Sequence, residues 1–201
     1  MPQRALLGVT VLICLGLAPA ETRERPQRGG RGPAAAAEEG GVAVYFTPNG
    51  GALDAIAGRI NGAKKSLDVQ AYLLTTQQIA GPIASAHKRG VKVRVVMDND
   101  KAGDQYSAAT YLKNAGVDVR MDGEHKEAHN KVMLVDGKTI LTGSFNFTRA
   151  AEENNAENLL VISDKPKLYA AYLKNFETHR AHAKPYAGPP ASKPPKEPRR
   201  D

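Results

Sequence analysis

The chain has 201 residues and a formal net charge of +7, with one cysteine and no tryptophan. Cys14 lies in the apolar N-terminal segment, so the rest of the chain cannot form a disulfide, a zinc–thiolate site or a cysteine nucleophile. The excess of positive charge favours a polyanionic partner, either nucleic acid or an anionic membrane surface.

The N-terminal residues have the pattern of a signal peptide. Met1–Arg4 is basic, Ala5–Leu17 is apolar, and Ala18-Pro19-Ala20 matches the small residues of a signal-peptidase site. The apolar run is shorter than the ~20 residues that span a bilayer. We therefore predict a signal peptide at residues 1–20 and an exported protein, periplasmic or secreted, with no stable membrane insertion after cleavage. An N-terminal membrane anchor is the alternative.

Composition divides the remainder into a core with two polar flanks. Residues 21–41 mix Arg, Glu, Gly and Ala with little to bury, which predicts a disordered leader. Residues 184–201 repeat Pro with Lys and Arg, which predicts a disordered basic tail. Residues 42–183 are long enough for one domain.

Strand-like and helix-like patterns alternate through the core and then give way to clustered strands. The predicted strands are residues 42–46, 67–74, 91–97, 117–121, 131–135, 139–143 and 157–162. The predicted helices are residues 52–63, 77–89, 104–114 and 165–179. This order predicts an α/β fold in which a mixed β-sheet is flanked by helices.

The chemically informative stretch begins at His129 and continues past a tight turn. His129 and Lys131 share one face of a strand because successive side chains alternate. Asp136-Gly137 is typical of a two-residue hairpin loop. That loop would place His129 opposite Ser144 and Lys131 opposite Thr142, with Asn146 two residues further along. A three-residue loop would break this alignment.

These side chains suit phosphoryl transfer. The His129 imidazole can attack phosphorus to form a covalent intermediate. Lys131, Ser144 and Asn146 can donate hydrogen bonds to the phosphate oxygens, so the cation is the lysine and no metal or cofactor is expected. Glu157 can orient the imidazole by bonding to its other nitrogen.

Two acidic residues near this stretch complete the candidate set. Glu153 is the nearest competitor of Glu157 for the orienting role. Asp136 is expected mainly to shape the hairpin, with a direct chemical role as the alternative.

The sequence resembles the phospholipase D superfamily, specifically its small bacterial single-motif endonuclease branch. The resemblance runs from about Val42 to His179 and is carried by His129-x-Lys131-x4-Asp136, Gly143-Ser144-x-Asn146-Phe147-Thr148 and Asn155-Ala156-Glu157-Asn158. It implies a phospholipase D-like sandwich of helix, sheet and helix layers. It also implies a metal-independent phosphodiesterase that acts through phosphohistidine, with a second histidine protonating the leaving oxygen.

The chain holds one copy of the motif. His87 is a poor second candidate, because Arg89 and Arg94 stand where the motif would need a lysine and an aspartate. The second histidine must then come from a second chain, which predicts a two-fold homodimer with one composite site.

The leading hypothesis is a non-specific endonuclease that hydrolyses DNA, with RNA as a further candidate substrate. A phospholipase D that hydrolyses the head-group phosphodiester of phospholipids is the alternative. A basic nucleic-acid-binding protein with a silent site is the third hypothesis.

The remaining histidines are assigned no role by the sequence. The four-residue spacing of His125 and His129 would suit a metal pair on a helix, but Gly123 and the following strand argue against a helix there. His87, His179 and His182 are expected on solvated helix faces. Phe145 and Phe147 are expected to lie in the core beneath the site.

Overall fold

The computed structural model describes residues 35–102 and 107–188, and one mixed sheet of nine strands runs through this part of the chain. The predicted signal peptide, residues 21–34 of the predicted leader and residues 189–201 of the predicted tail lie outside the described residues. The strands are β1 Ala37–Glu39, β2 Val42–Phe46, β3 Ser66–Ala71, β4 Lys92–Asp98, β5 Asp118–Asp122, β6 Lys131–Val135, β7 Thr139–Gly143, β8 Asn158–Ser163 and β9 Lys184–Pro185.

The helices lie between the strands and after them. They are α1 Ala52–Gly62, α2 Gln77–Lys88, α3 Asn99–Ala102, α4 Ala109–Asn114, α5 Arg149–Glu153 and α6 Pro166–His182. Thr76 begins α2 with a side-chain oxygen that accepts a hydrogen bond from the Gln78 N–H (3.3 Å), and Pro166 suits the first turn of α6 because it needs no N–H partner. Among the described helices, none combines the length and the apolar character needed to cross a membrane.

The sheet has the strand order β1-β2-β8-β7-β6-β3-β4-β5-β9. Strands β3, β4 and β5 are parallel, because α2 and α4 carry the chain back between them. Strand β6 runs antiparallel to β3, so Lys131 at its start pairs with Ala71 at the end of β3. The start of β6 and the ends of β3, β4 and β5 therefore lie along one edge of the sheet.

Each face of the sheet is covered by helices. Alternation along β6 sends Met133 and Val135 into the core beneath α1, α2 and α4, and sends Val132 and Leu134 into a smaller core beneath α6. The predicted mixed sheet flanked by helices is confirmed.

The α6 face also carries a buried ion pair. Asp68 is 3% exposed and accepts two hydrogen bonds from Arg94, at 2.6 and 2.9 Å. Glu177 of α6 accepts a further bond from the same guanidinium at 2.6 Å. Hydrogen bonds to these two carboxylates outweigh the opposing effect of burial, so the pKa of Arg94 is raised. The network ties α6 to the centre of the sheet.

Most predicted elements are present with small shifts in their ends. The strands predicted at residues 131–135 and 139–143 have those bounds. The predicted helix at 104–114 corresponds in its second half to α4, while residues 103–106 lie outside the described residues. The sequence predicted no element at α3, α5, β1 or β9, yet the structure contains all four. Strands β1 and β9 lie in the leader and tail segments that were predicted to be disordered, so that prediction is wrong at residues 37–39 and 184–185. Helix α6 continues to His182, one turn beyond its predicted end.

The predicted register of the β6–β7 hairpin is wrong. Val135 pairs with Thr139, and Val132 with Thr142, so the loop contains three residues. Asp136 and Gly137 both have positive φ, at 54° and 79°, and the Lys138 N–H donates to the Val135 carbonyl at 3.1 Å. Two consecutive left-handed residues and one further residue make the wider turn. The predicted pairs of His129 with Ser144 and Lys131 with Thr142 are therefore absent.

Candidate active site

His129 and Lys131 lie at the edge where β6 begins. The backbone around His129 is fixed on both sides, because the Ala128 N–H donates to Asp98 Oδ2 at 2.7 Å and the Asn130 carbonyl accepts from the Tyr72 N–H at 2.9 Å. The His129 side chain is exposed between these two anchors. A reactive imidazole is thus held on a rigid backbone and open to a substrate.

Lys131 is buried directly beside this imidazole. Its Nζ lies 3.0 Å from His129 Nδ1 and donates to the His129 carbonyl at 2.8 Å, while its side chain is 7% exposed. The Tyr72 ring lies 4.3 Å from the imidazole ring and 5.0 Å from Lys131 Nζ. Burial lowers the pKa of Lys131, and the carboxylates of Glu157 and Glu127 counteract part of that effect. The lysine is a desolvated cation at the base of an open site.

The contact between Lys131 and His129 also fixes where the ring proton lies. An ammonium group can donate hydrogen bonds but cannot accept them, so His129 Nδ1 is the acceptor of the 3.0 Å contact. A neutral imidazole in this arrangement carries its proton on Nε2. In this tautomer Nε2 has no free lone pair, so attack by Nε2 requires the proton to move first.

Ser144 lies beside β8. It is not paired with His129, so that prediction is wrong. The Ser144 and Phe145 N–H groups both donate to the Asn158 carbonyl, at 3.1 and 3.3 Å, and the Asn158 N–H donates to Ser144 Oγ at 3.0 Å. Two residues facing one partner form a β-bulge. Gly143 has φ of 151° there, and a Cβ at this position would lie 2.2 Å from the Asn158 carbonyl oxygen. The bulge turns the chain out of β7 toward the site.

Asn146 follows the bulge on a segment that crosses to the loop after β3. The Phe147 N–H donates to the Leu73 carbonyl at 3.0 Å, and the Thr75 N–H donates to the Phe147 carbonyl at 3.1 Å. Phe145 and Phe147 are each 1% exposed, in agreement with their predicted place in the core. Asn146 Oδ1 is buried without a hydrogen-bond partner. This oxygen can only accept a hydrogen bond, so Nδ2 is the atom of Asn146 that could donate to a phosphate oxygen.

Glu157 stands just before β8, on the side of the sheet edge that carries Ser144. Its N–H donates to Thr47 Oγ1 at 3.1 Å, and its carboxylate accepts from Asn155 Nδ2 at 3.1 Å. The structure brings Lys131, and not Glu157, into hydrogen-bond contact with His129 Nδ1. Burial lowers the pKa of Lys131, and the charge of the Glu157 carboxylate counteracts part of that lowering.

The competing carboxylate, Glu153, is engaged elsewhere. It lies on α5 and accepts a hydrogen bond from Arg149 Nε at 2.7 Å on the exposed side of the helix. Glu157 therefore remains the better candidate for orienting His129.

Asp136 lies at the opposite end of β6 from Lys131. The two are five positions apart along the strand, or about 17 Å at ~3.3 Å per residue. The Asp136 carboxylate accepts hydrogen bonds from the N–H groups of Lys64, Lys65 and Ser66, at 2.9, 2.7 and 3.0 Å. Burial opposes these bonds, but their sum lowers the pKa of Asp136. The structure places Asp136 in a structural role, with no contact to the other candidate site residues.

A second cluster of titratable side chains lies near the C-terminal end of α6. Asp122, His125, His179 and His182 converge there, and sequence reasoning missed them as a group. His179 is 9% exposed and His182 is half-buried, which corrects the expectation that both lie on solvated faces. The spacing of three residues between them on a helix was the signal that could have suggested a shared face.

Comparisons with known proteins agree with this geometry. The family model described as the PLD-like domain of cardiolipin synthase matches residues 56–180. A phospholipase D of Rickettsia felis is 39% identical over 140 residues, which make up 70% of this chain and 70% of that protein. A mitochondrial cardiolipin hydrolase of Chlamydomonas reinhardtii is 37% identical over 118 residues, 59% of this chain and 52% of that protein.

Solved structures give the same result for the fold. The crystal structure of Nuc, a phospholipase D family member from Salmonella typhimurium, superimposes with a TM-score of 0.70 at 37% identity, covering 72% of this chain and 97% of that one. NucT from Helicobacter pylori superimposes with a TM-score of 0.67 at 24% identity, which bears on the fold alone.

Proposed function

The chain belongs to the phospholipase D-like family of phosphodiesterases, and from this premise we propose that it is a metal-independent endonuclease that cleaves DNA, with RNA as a further substrate. The observation that carries the proposal is the buried Lys131 held 3.0 Å from the exposed His129 imidazole. A desolvated cation beside an open imidazole combines a nucleophile with a group that stabilises phosphate charge.

The reaction requires two histidines. His129 Nε2 attacks phosphorus, so that an N–P bond forms while the P–O bond to the leaving group breaks. The leaving oxygen takes a proton from a second histidine in its imidazolium form, which becomes a neutral imidazole. Water then attacks the phosphohistidine and gives its proton to that second imidazole, which restores both rings. Lys131 and Asn146 hold the non-bridging oxygens throughout both steps.

Substrate binding must rearrange the contact at His129 Nδ1. A bound phosphate offers Lys131 Nζ a negatively charged acceptor, which is preferred to a neutral ring nitrogen. When Lys131 turns to the phosphate, Nδ1 is free to carry the ring proton and donate it to a carboxylate. Glu157 supplies that carboxylate, and Nε2 then presents its lone pair to phosphorus.

Nucleic acid is favoured as the substrate by charge and by the character of the surface. The chain carries a net charge of +7, which suits a polyanion whose phosphates are bound without reading the bases. Among the described residues, the large exposed apolar side chains are Phe46, Tyr111 and Leu168, which lie on three different elements. Such a dispersed set provides little of the apolar face with which a protein enters a lipid interface.

A phospholipase D activity is the second candidate. The names of the curated relatives support it, since they are a phospholipase D and a mitochondrial cardiolipin hydrolase. Phe46 is 57% exposed and pairs with Asn158 at the end of β2, close to the bulge that carries Ser144. A single apolar side chain at the rim of the site would be a contact for an acyl chain.

The decisive experiment compares both substrates in EDTA. We would incubate the purified protein with single- and double-stranded DNA and, in parallel, with phospholipid vesicles that contain cardiolipin. We expect DNA cleavage that persists in EDTA, weakens steeply with salt and is lost in His129→Ala. His87→Ala is the matched control, because His87 lies on α2 away from the sheet edge and should leave cleavage unchanged. Head-group release without DNA cleavage would contradict the endonuclease proposal and support the phospholipase D activity.

The second histidine, in this proposal, comes from another copy of the chain. The described residues contain one histidine paired with a lysine in this way, and the site opens to solvent at the sheet edge. Mixing wild-type protein with His129→Ala and allowing the subunits to exchange tests the idea. With one composite site per dimer, activity should follow the square of the wild-type fraction. A linear dependence, or full activity in a monomer, would contradict the shared site.

A further inference from the structure

Three histidines surround one buried carboxylate on the α6 face of the sheet. Asp122 ends β5 and is fully buried, and its oxygens lie 3.2 Å from His125 Nδ1, 2.6 Å from His179 Nδ1 and 3.1 Å from His182 Nε2. The three imidazole rings are neighbours of one another, with centroids 4.7 to 5.5 Å apart. One anion faces three bases in a small volume.

The arrangement exceeds what Asp122 needs as a hydrogen-bond acceptor. Its Oδ1 already accepts the Glu124 N–H at 3.1 Å, and His179 donates a short bond to Oδ2. His182 Nε2 approaches Oδ2 but is not aligned as a hydrogen bond, and this nitrogen is buried without a partner. A buried imidazole nitrogen directed at a carboxylate, but not bonded to it, indicates that the cluster lacks a central group.

The ligand atoms have the spacing of a cation site. One atom from each of the four residues lies within 4.8 Å of the others. A tetrahedral ion with bonds of about 2.0–2.1 Å holds its ligands about 3.3 Å apart, so small side-chain rotations would bring the four atoms into place. Three imidazoles and one carboxylate form a nitrogen-rich set that suits zinc and similar ions better than calcium or magnesium.

We propose that Asp122, His125, His179 and His182 bind one divalent transition-metal ion of the zinc type. Four protein ligands fill a tetrahedral shell and leave no position for a substrate, which is the pattern of a structural site. The ion would join three parts of the chain, namely the end of β5, the loop that follows it and the end of α6.

This cation site is separate from the candidate active site around His129 and Lys131. Alternation along β5 turns Asp122 toward α6, with Asp118, whose partner is Arg180 on that helix. Lys131 points to the opposite face, with Met133. Strands β3 and β4 also stand between β6 and β5, so the two sites lie on strands about 14 Å apart. The inference therefore does not depend on the proposed function.

Binding of the ion would nevertheless affect the position of His129, because one of its ligands lies in the loop that leads to this residue. His125 lies in the loop 123–130 that leads from β5 to His129. It is the most exposed of the four ligands, with a side chain 47% exposed. Binding His125 to the ion would hold the middle of this loop, while the bond from Ala128 to Asp98 holds its end. The expected result of metal loss is a looser loop and a detached C-terminal end of α6.

The test measures metal binding directly. The full chain, purified without a histidine tag and stripped with a chelator, would be titrated with zinc by calorimetry and with cobalt by visible absorption. We expect one ion per chain, the intense absorption of tetrahedral cobalt and a higher Tm with zinc than without it.

Variants then assign the binding to this cluster. His125→Gln changes an exposed ligand that the fold does not need, and His182→Gln changes a half-buried one. We expect each to weaken zinc binding by more than about 100-fold, since the loss of a supporting residue alone can cost that much. His87→Gln is the matched control on α2 and should bind as the wild type does.

Three results would overturn the proposal. They are the absence of saturable binding, binding that both cluster variants retain, and an octahedral cobalt spectrum. A folded stripped protein, shown by circular dichroism, ensures that absence of binding is not caused by unfolding.

Discussion

Replacing Asp136 separates the stability of the β6–β7 turn from the chemistry of the site. The carboxylate accepts three backbone N–H groups, from Lys64, Lys65 and Ser66, and the residue itself has φ of 54°. Asparagine has nearly the same shape and tolerates this left-handed conformation, so Asp136→Asn removes the charge and one acceptor oxygen while keeping the backbone conformation.

The expected loss of stability in Asp136→Asn follows from the hydrogen bonds that the carboxylate accepts. Oδ1 accepts the Lys65 and Ser66 N–H groups, and an amide oxygen there would keep both as weaker, neutral bonds. The Lys64 N–H lies 2.9 Å from Oδ2 and 3.1 Å from Oδ1, so in the variant it would face the amide NH2 on one side and keep only the longer contact. Replacing the charged bonds at these three N–H groups by weaker, neutral ones should cost about 2 kcal/mol. For a domain of this size the Tm should fall by about 4–8 °C.

The sign of the pH dependence of this stability contribution follows from the direction of the pKa shift of Asp136. The pKa of Asp136 is lowered in the folded protein, so its contribution is complete above the unfolded value of about 3.9. That contribution disappears as the pH falls through the folded value. The difference in stability between wild type and Asp136→Asn should therefore be full at pH 7 and shrink below about pH 3.9.

Urea unfolding at several pH values measures this difference, and cleavage at 25 °C measures activity per folded molecule. Asp164→Asn is the matched control, because Asp164 also has φ of 54° but its carboxylate accepts no hydrogen bond in the described structure. We expect Asp136→Asn to be less stable and fully active. Unchanged stability with a large loss of activity would show that Asp136 takes part in the chemistry.

Lys131→Met should abolish cleavage without lowering the Tm, because it removes a desolvated cation; a lower Tm would refute this. Burial lowers the pKa of Lys131, so activity should decline at alkaline pH below the usual lysine value of about 10.4, and Lys131→Arg should remove that decline from the pH–rate profile. Glu157→Gln should reduce kcat more than Glu153→Gln, and equal effects would remove Glu157 from the orienting role. Arg94→Met leaves Asp68 buried and unpaired, so urea unfolding should show a loss of about 3 kcal/mol, most of it recovered by adding Asp68→Leu.

The sequence predicted the sheet well because local patterns determine most of it. Apolar alternation located β6 and β7 with their observed bounds. The helix α1 followed from apolar residues at helical spacing, and three of these, Leu53, Ile56 and Ile60, are buried in the structure. The strands β1 and β9 were missed because they have three and two residues and an exposed pattern, so no periodicity marks them. They form only by pairing with β2 and β5.

The wrong register of the β6–β7 hairpin shows that local sequence patterns do not determine the length of this loop. Asp136-Gly137 favours a two-residue loop by composition alone. The Asp136 side chain instead bonds to the N–H groups that precede β3, which are remote in sequence, and this long-range contact favours the wider turn. A bulge at Ser144 and Phe145, which the sequence also did not predict, follows β7 and shifts the chain again. Tertiary hydrogen bonds set both features, and no sequence pattern encodes them.

Acidic residues at the ends of parallel strands would be natural candidates for catalysis, since ligands often bind at that edge of a sheet. Asp98 ends β4 and Asp122 ends β5, yet their oxygens accept backbone N–H groups or face the histidine cluster. The antiparallel strand β6 supplies His129 and Lys131 instead, because its start lies beside the end of β3. The parallel strands thus fix the loop 123–130 through carboxylates, and the fixed loop presents the imidazole. The chemistry therefore depends on β6, which carries His129 and Lys131, and on the carboxylates that hold the loop in front of it. The acidic residues act by positioning the imidazole and not by contact with the substrate.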